Sequence, residues 1–168
     1  MRGIHLFLPL VIALCASGGS YAQTAATKSI VIEQPWARAT PKGAKTGAAY
    51  MAVINNGAVA DHLVGAATAV ADKVQFHQST EDNGVSRMHE ISRVDLAPGA
   101  RVVFKPGEMH MMLVGLKQPL VQGQTFSVTL QFESAGNIEV TLPVEGVGAM
   151  HHGGTGSMMH MPNDEMKK

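Results

Sequence analysis

Residues 73–91 read KVQFHQSTEDNGVSRMHEI. Two short β-rich runs, Lys73 to Thr80 and Val85 to Ile91, flank the turn signal Asp82-Asn83-Gly84, and that combination reads as a β-hairpin. With Glu81 to Gly84 taken as a four-residue loop, Thr80 pairs with Val85, and counting back along the ladder sets His77 directly opposite Met88. Opposed residues share a face, with Cβ atoms about 4.5 to 5.5 Å apart. A different loop register moves Met88 to a diagonal position.

The pattern continues on both sides. Ile30 to Arg38, Ala48 to Asn55, His62 to Thr68, Arg101 to Phe104, Met109 to Val114, Thr125 to Phe132 and Asn137 to Pro143 are further strand-like runs. They are separated by turn-rich pieces such as Pro41-Lys42-Gly43, Asn55-Asn56-Gly57, Pro98-Gly99, Lys105-Pro106-Gly107 and Ala135-Gly136-Asn137. No segment carries a long helical stripe. Short, evenly spaced strands with frequent Gly and Pro predict an all-β fold, an antiparallel Greek-key sandwich or barrel of about seven to nine strands.

In the run Glu108-Met109-His110-Met111-Met112-Leu113-Val114, period-two alternation places His110 and Met112 on one face. Met109, Met111 and Leu113 take the other. Methionine is a common flexible core filler, and that is the reading for Met51, Met109 and Met111. Met112 differs, because its face companion is a histidine and a second His-plus-Met pair lies on the upstream hairpin. His77, Met88, His110 and Met112 are therefore the candidate metal ligands. His62 and His89 lack such companions and read as structural or surface residues.

Thioethers are soft, neutral donors and imidazole binds copper in either oxidation state, so two His and two Met favour copper(I) over hard cations. A structural zinc site would recruit Cys, His or carboxylate instead. A blue-copper centre needs a cysteine thiolate, and the only cysteine, Cys15, lies in a leader. Residues 1–22 have the form of a secretory signal: Arg2, an apolar stretch from Ile4 to Cys15, and Ser20-Tyr21-Ala22 before cleavage. Export to the periplasm follows as the expectation.

Residues 23–145 are long enough for one domain without disulfides. Loss of Arg2 takes the 13 Lys and Arg to 12, against 13 Asp and Glu, with the charges scattered. Nothing in that distribution asks for nucleic acid, and no later stretch reaches the about 18 to 20 apolar residues of a membrane span. A monomer is expected. G-x-S-x-G, H-E-x-x-H and P-loop motifs are missing, so hydrolase and nucleotide-binding readings have no site and the chain reads as a non-enzyme.

Composition changes after Pro143. Residues 146–168 hold five methionines, three histidines and five glycines, with no Leu, Ile or aromatic residue. This reads as a disordered His/Met-rich tail. Met150, His151, His152, Met158, Met159, His160 and Met161 are its candidate ligands, the imidazoles for copper(II) and the thioethers for copper(I).

The spacing His77-x10-Met88-x21-His110-x-Met112 resembles the signature of the periplasmic PCu(A)C-type copper chaperones. Gln34-Pro35-Trp36-Ala37-Arg38, Gly47 to Tyr50, Lys105-Pro106-Gly107 and Gly115-Leu116-Lys117 agree with it, and the likeness runs from Ile30 to Pro143. Gln78 follows His77 where the family often has methionine. The resemblance implies a cupredoxin-like fold and delivery of copper to the copper-site subunit of cytochrome c oxidase, alongside Sco-type thiol proteins. A protein that sequesters copper in the periplasm is the alternative that the same four residues allow.

Overall fold

The computed structural model describes residues 29–152. The expected signal segment, and the tail ligands Met158, Met159, His160 and Met161, lie outside the described residues. Among the described residues there are ten strands and no helix: β1 (Ile30–Arg38), β2 (Thr46–Asn55), β3 (Asp61–Thr68), β4 (Lys73–Asp82), β5 (Val85–Ile91), β6 (Val94–Leu96), β7 (Arg101–Phe104), β8 (His110–Val114), β9 (Thr125–Phe132) and β10 (Gly136–Glu145). Nine correspond to expected runs, and the three-residue β6 is new. No helix among these residues is long and apolar enough to cross a membrane.

The strands are ordered β5-β4-β8-β2-β1-β10-β9-β3-β6, with β7 also paired to β2. Pairing is antiparallel except at one junction. There β1 meets β10 in parallel, through Ala37 opposite Val144 and Arg38 opposite Glu145. An all-antiparallel sheet was expected, so this parallel corner is a difference; it lets the first and last strands join the two halves into one mixed sheet.

The halves enclose one core. Ala49, Met51 and Val53 of β2, Phe76 of β4, Phe104 of β7 and Met111 and Leu113 of β8 meet Leu63, Leu96, Val128, Leu130 and Leu142 from the other half. Met111 and Leu113 are fully buried. The packing role expected for Met51 and Met111 is therefore observed, and Met109 is partly buried against the same cluster.

One irregularity in β1 controls what the outer face carries. Ile32 pairs with Val53 and Ala37 with Ala49, both on the core side, so an even-numbered and an odd-numbered residue of one strand face the same way. The register shift between Glu33 and Trp36 produces this, with Gln34 at φ 46 and Pro35, which has no N–H to offer the ladder, beside it. One extra residue reverses the sense of all that follow. Trp36 and Arg38 are thereby turned outward, away from the core.

The hairpin register differs from the expected one. Asp82 pairs with Val85, so the loop is only Asn83-Gly84, both at positive φ (49 and 78). A two-residue turn with two left-handed residues matches strand twist, and Asn-Gly is its favoured sequence. Ser79 is consequently opposite Met88, and His77 is opposite Glu90. The slip is of two residues, so Met88 keeps its face but is diagonal to His77 rather than directly across.

Burial of Met111 gives a direct test. Met111→Ala is expected to lower stability in urea unfolding by about 2–5 kcal/mol through lost burial and a residual cavity. A loss below half a kcal/mol would mean that Met111 does not face the core.

Candidate metal centre

β8 lies between β2 and β4 and is held on both sides. His110 pairs with His77 and Met112 with Gln75 across β4, while Met112 pairs with Ala48 across β2. These partners fix the alternation: Met111 and Leu113 go to the core, and His110 and Met112 go to the outer face.

The two histidine rings form a rung across that face, their centroids 5.8 Å apart and tilted by 52°. Metal–imidazole bonds of about 2.0–2.1 Å would place two rings sharing one ion roughly 5 to 6.5 Å apart. The observed spacing falls inside that range. His110 is 6% exposed, and its Nδ1 lies 3.0 Å from the Glu108 carbonyl oxygen. A carbonyl only accepts, so Nδ1 carries the hydrogen and Nε2 keeps its lone pair for a metal.

His77 is held differently. Both its ring nitrogens are buried, and neither has a hydrogen-bond partner among the described residues. An unsatisfied buried polar group costs about 1–3 kcal/mol, a cost that coordination to a metal would offset. Burial pushes the His77 imidazolium below its ordinary pKa; the nearby His110 lowers it too, Glu90 opposes the shift and His89 adds to it. The ring is therefore kept in the neutral form that ligates metal.

The methionines flank this rung from opposite ends. Met112 lies on the Gln75 side and Met88, 52% exposed, on the Ser79 side. Gln75 and Glu90 are related by the same diagonal as His77 and Met88, one step along the hairpin, and their side chains meet at 2.6 Å. That diagonal is thus the short one of the twisted hairpin, within reach of a long thioether. Among the described residues no three His, Cys, Asp or Glu side chains are grouped as metal ligands.

Beyond β2 the outer face carries an aromatic platform. Trp36 is opposite Tyr50, their ring centroids 4.4 Å apart, and the Arg38 guanidinium lies 6.0 Å from the Trp36 ring and 5.5 Å from the Tyr50 ring. Arg38 donates through Nε and Nη2 to the carbonyl of Ala149, at 3.1 and 2.7 Å. Ala149 is buried against the aromatic pair. Burial also raises the Tyr50 hydroxyl above its usual pKa, partly offset by Arg38.

Residues 146–152 therefore cross back over the outer face, although their composition suggested no attachment. Met150 Sδ lies 3.7 Å from Arg38 Nη2 and His152 Nδ1 lies 3.0 Å from Glu145 Oε1. Met150, His151 and His152 are exposed and line one side of a surface cavity bounded also by Trp36, Arg101 and Lys105. They are not brought to the His77–His110 rung. His62 is bonded to Asp95 at 2.9 Å and His89 is exposed on the opposite side of β5 from Met88, in keeping with the structural and surface roles expected for them.

Sequence reasoning missed Gln75, Glu90 and the Arg38 clamp. The Asn83-Gly84 pair held the signal for the first two, since a two-residue turn sets Glu90, not Met88, opposite His77.

A family model, LpqE-like, described as "Putative lipoprotein LpqE-like", matches residues 30–144. A protein of Leifsonia xyli subsp. xyli (strain CTCB07) named "Putative lipoprotein Lxx21020" is 34% identical over 117 residues, 69% of either chain. The fold is similar to the PCuAC domain of PmoF2 in its apo form (34% identity, 73% of this chain and 94% of that one, TM-score 0.63). The copper-bound form of that domain gives 32% identity over 70% of this chain and 93% of that one, with TM-score 0.61. The solution structure of CuI-DR1885 from Deinococcus radiodurans is similar at 27% identity, over 74% of this chain and 85% of that one, with TM-score 0.58. With two thirds of its length matched by the family model and its fold that of PCuAC domains, the chain belongs to the LpqE-like family of PCuAC-type copper chaperones.

Proposed function

We propose that this protein is a periplasmic copper(I) chaperone that holds one ion on the outer face of its sheet through His77, Met88, His110 and Met112 and delivers it to a copper centre of cytochrome c oxidase. The observation that carries this reading is the histidine rung. Its spacing suits a shared ion, the ring nitrogens of His77 have no partner among the described residues, and two methionines flank it on the same face. The PmoF2 domain and DR1885, both structurally similar, are described with copper and copper(I) respectively.

Burial across the donor set suits exchange rather than storage. His110 is buried and fixed by the Glu108 carbonyl, whereas Met88 is half exposed on an edge strand. A thiol or thioether of an acceptor can replace the Met88 sulfur first, while the histidines still hold the ion. The acceptor is a thiolate-bearing copper site, with a Sco-type protein as an alternative recipient or collaborator. An extracytoplasmic location agrees with the leader-like residues 1–22 and with the lipoprotein names carried by the family and its Leifsonia relative.

The tail supplies a second, weaker store. Met150, His151 and His152 begin it beside the Arg38 clamp, and Met158, Met159, His160 and Met161 follow. Its imidazoles suit copper(II) and its thioethers copper(I).

The central test loads the mature protein with copper(I), mixes it with an apo oxidase copper-site domain and follows transfer. Wild type is expected to load one tightly held ion and pass it on; Met112→Leu and Met88→Leu are expected to bind copper(I) at least tenfold more weakly while copper(II) binding changes little. Tight retention with no transfer would favour sequestration instead, and equal losses for both oxidation states would remove softness as the selector.

The metal-free protein should also respond to pH in a defined direction. His77 is held below the ordinary value of about 6.5, so beneath that pH the unfolded chain binds more protons than the folded one. Its contribution to stability is full above pH 6.5 and is lost as pH falls toward the folded-state pKa. Thermal midpoints of apo wild type should therefore drop more between pH 7.5 and 5.5 than those of His77→Gln; parallel curves would mean that burial does not depress the His77 imidazolium.

Removal of residues 153–168 leaves the Ala149 contact in place. It is expected to lower copper(II) stoichiometry and to spare the single core copper(I), as measured by titration with each ion. An unchanged copper(II) stoichiometry would eliminate these residues as a store.

A further inference from the structure

The Glu90 carboxylate stands across the ladder from the histidine rung but is bonded to a different neighbour. Glu90 is directly opposite His77 on the same face, and His77 has two buried ring nitrogens without a partner among the described residues. A His–carboxylate bond is the pairing that such a juxtaposition ordinarily makes. Instead, Glu90 Oε2 accepts a 2.6 Å hydrogen bond from Gln75 Nε2. Gln75 occupies the β4 position two residues before His77 and is opposite Met112.

We propose that Gln75 is a positioning residue for metal selectivity: by holding the Glu90 carboxylate on its own amide, it keeps a hard anionic oxygen out of the coordination sphere and leaves His77 free for the metal. This rests on the copper reading given above. Two imidazoles and two thioethers form a neutral, soft-leaning set that suits copper(I), whereas two imidazoles with a carboxylate form a set that suits copper(II). The two sets share His77 and His110. Which one the ion meets depends on where the Glu90 side chain is held.

The contact that decides this is small. Glu90 is exposed, and the bond joins one amide to one carboxylate at the surface. Its loss should leave the fold intact, because exposed polar contacts contribute little net stability. Removal of the Gln75 amide frees the carboxylate to turn toward His77, directly across the ladder. Copper(II) then gains an anionic oxygen donor, and copper(I) meets a competitor for the imidazole.

The experiment uses the full mature chain in four forms: wild type, Gln75→Ala, the double variant Gln75→Ala with Glu90→Gln, and His110→Ala. Copper(I) and copper(II) dissociation constants are measured by competition against chelators selective for each ion, and the copper(II) form is examined by electron paramagnetic resonance. The tail is the same in all four chains, so differences report the core site.

Gln75→Ala is expected to shift the ratio of the two constants at least tenfold toward copper(II) and to change the copper(II) spectrum toward more oxygen ligation. The double variant should return both to near the wild-type values. A merely structural role for Gln75 would weaken both oxidation states together and would not be reversed at position 90. That result, or an unchanged ratio, overturns the assignment. His110→Ala separates this from the underlying reading: if it retains tight copper(I) binding, the four-ligand site itself is wrong, whereas its loss beside an unmoved ratio in Gln75→Ala removes only the selectivity role.

Discussion

The pinning of β8 between two hydrogen-bonded neighbours is the constraint on which the rest depends. A five-residue strand has little register specificity of its own, but β8 is bonded to β2 on one edge and β4 on the other. Each neighbour fixes the same alternation. Burial of Met111 and Leu113 in the core makes a one-residue slip costly, since it would exchange them for His110 and Met112. The strand that carries half of the proposed ligand set is thus held in register by hydrophobic burial on its other face, and methionines one residue apart are turned to opposite faces.

Much of this was legible because strand alternation is local. Nine of the ten strands follow from β-rich runs between Gly, Pro and Asn punctuation, and the separation of Met111 from Met112 needs only the period of two. What escaped depends on single-residue shifts. The Asn83-Gly84 turn moves Glu90 opposite His77, a two-residue difference that preserves the face but changes the neighbour. Likewise, the bulge at Gln34 turns Trp36 outward, where an uninterrupted strand would have aimed it into the core. β6 was missed because three residues are too few to show alternation, and the parallel β1–β10 corner because it joins the chain's extremes through only two residue pairs.

The Arg38 clamp was invisible for another reason. Residues 146–152 contain no Leu, Ile or aromatic residue, and their Val147 and Met150 are exposed, yet attachment here does not need a large apolar anchor. Arg38 supplies two hydrogen bonds to a backbone carbonyl, and a single alanine methyl fits against the Trp36–Tyr50 pair. Backbone capture of this kind reads the path of the chain rather than its side chains, so low hydrophobicity is a poor guide to it. The result is a cover over an aromatic platform that would otherwise leave two large rings in solvent on the outer face.

An exchangeable metal site has to reconcile two opposed demands: donors must be held ready without being consumed by one another, and the ion must be reachable. The first demand is met by giving each polar neighbour something else to do. The Glu108 carbonyl occupies one nitrogen of His110, Gln75 occupies Glu90, and His77 has no partner among the described residues. The second is met by the gradient from buried His110 to half-exposed Met88. Those solutions are coupled. If Met88 were buried as deeply as His110, the β4–β5 hairpin would have to pack against another layer, and Glu90, two residues along the same face, would be buried with it. A buried carboxylate beside an unpartnered imidazole would pair with it or lose its charge. Exposure of the hairpin is therefore what allows a carboxylate to stand next to His77 without claiming it, and on the proposed reading the openness that would permit transfer would also keep the ligand set soft.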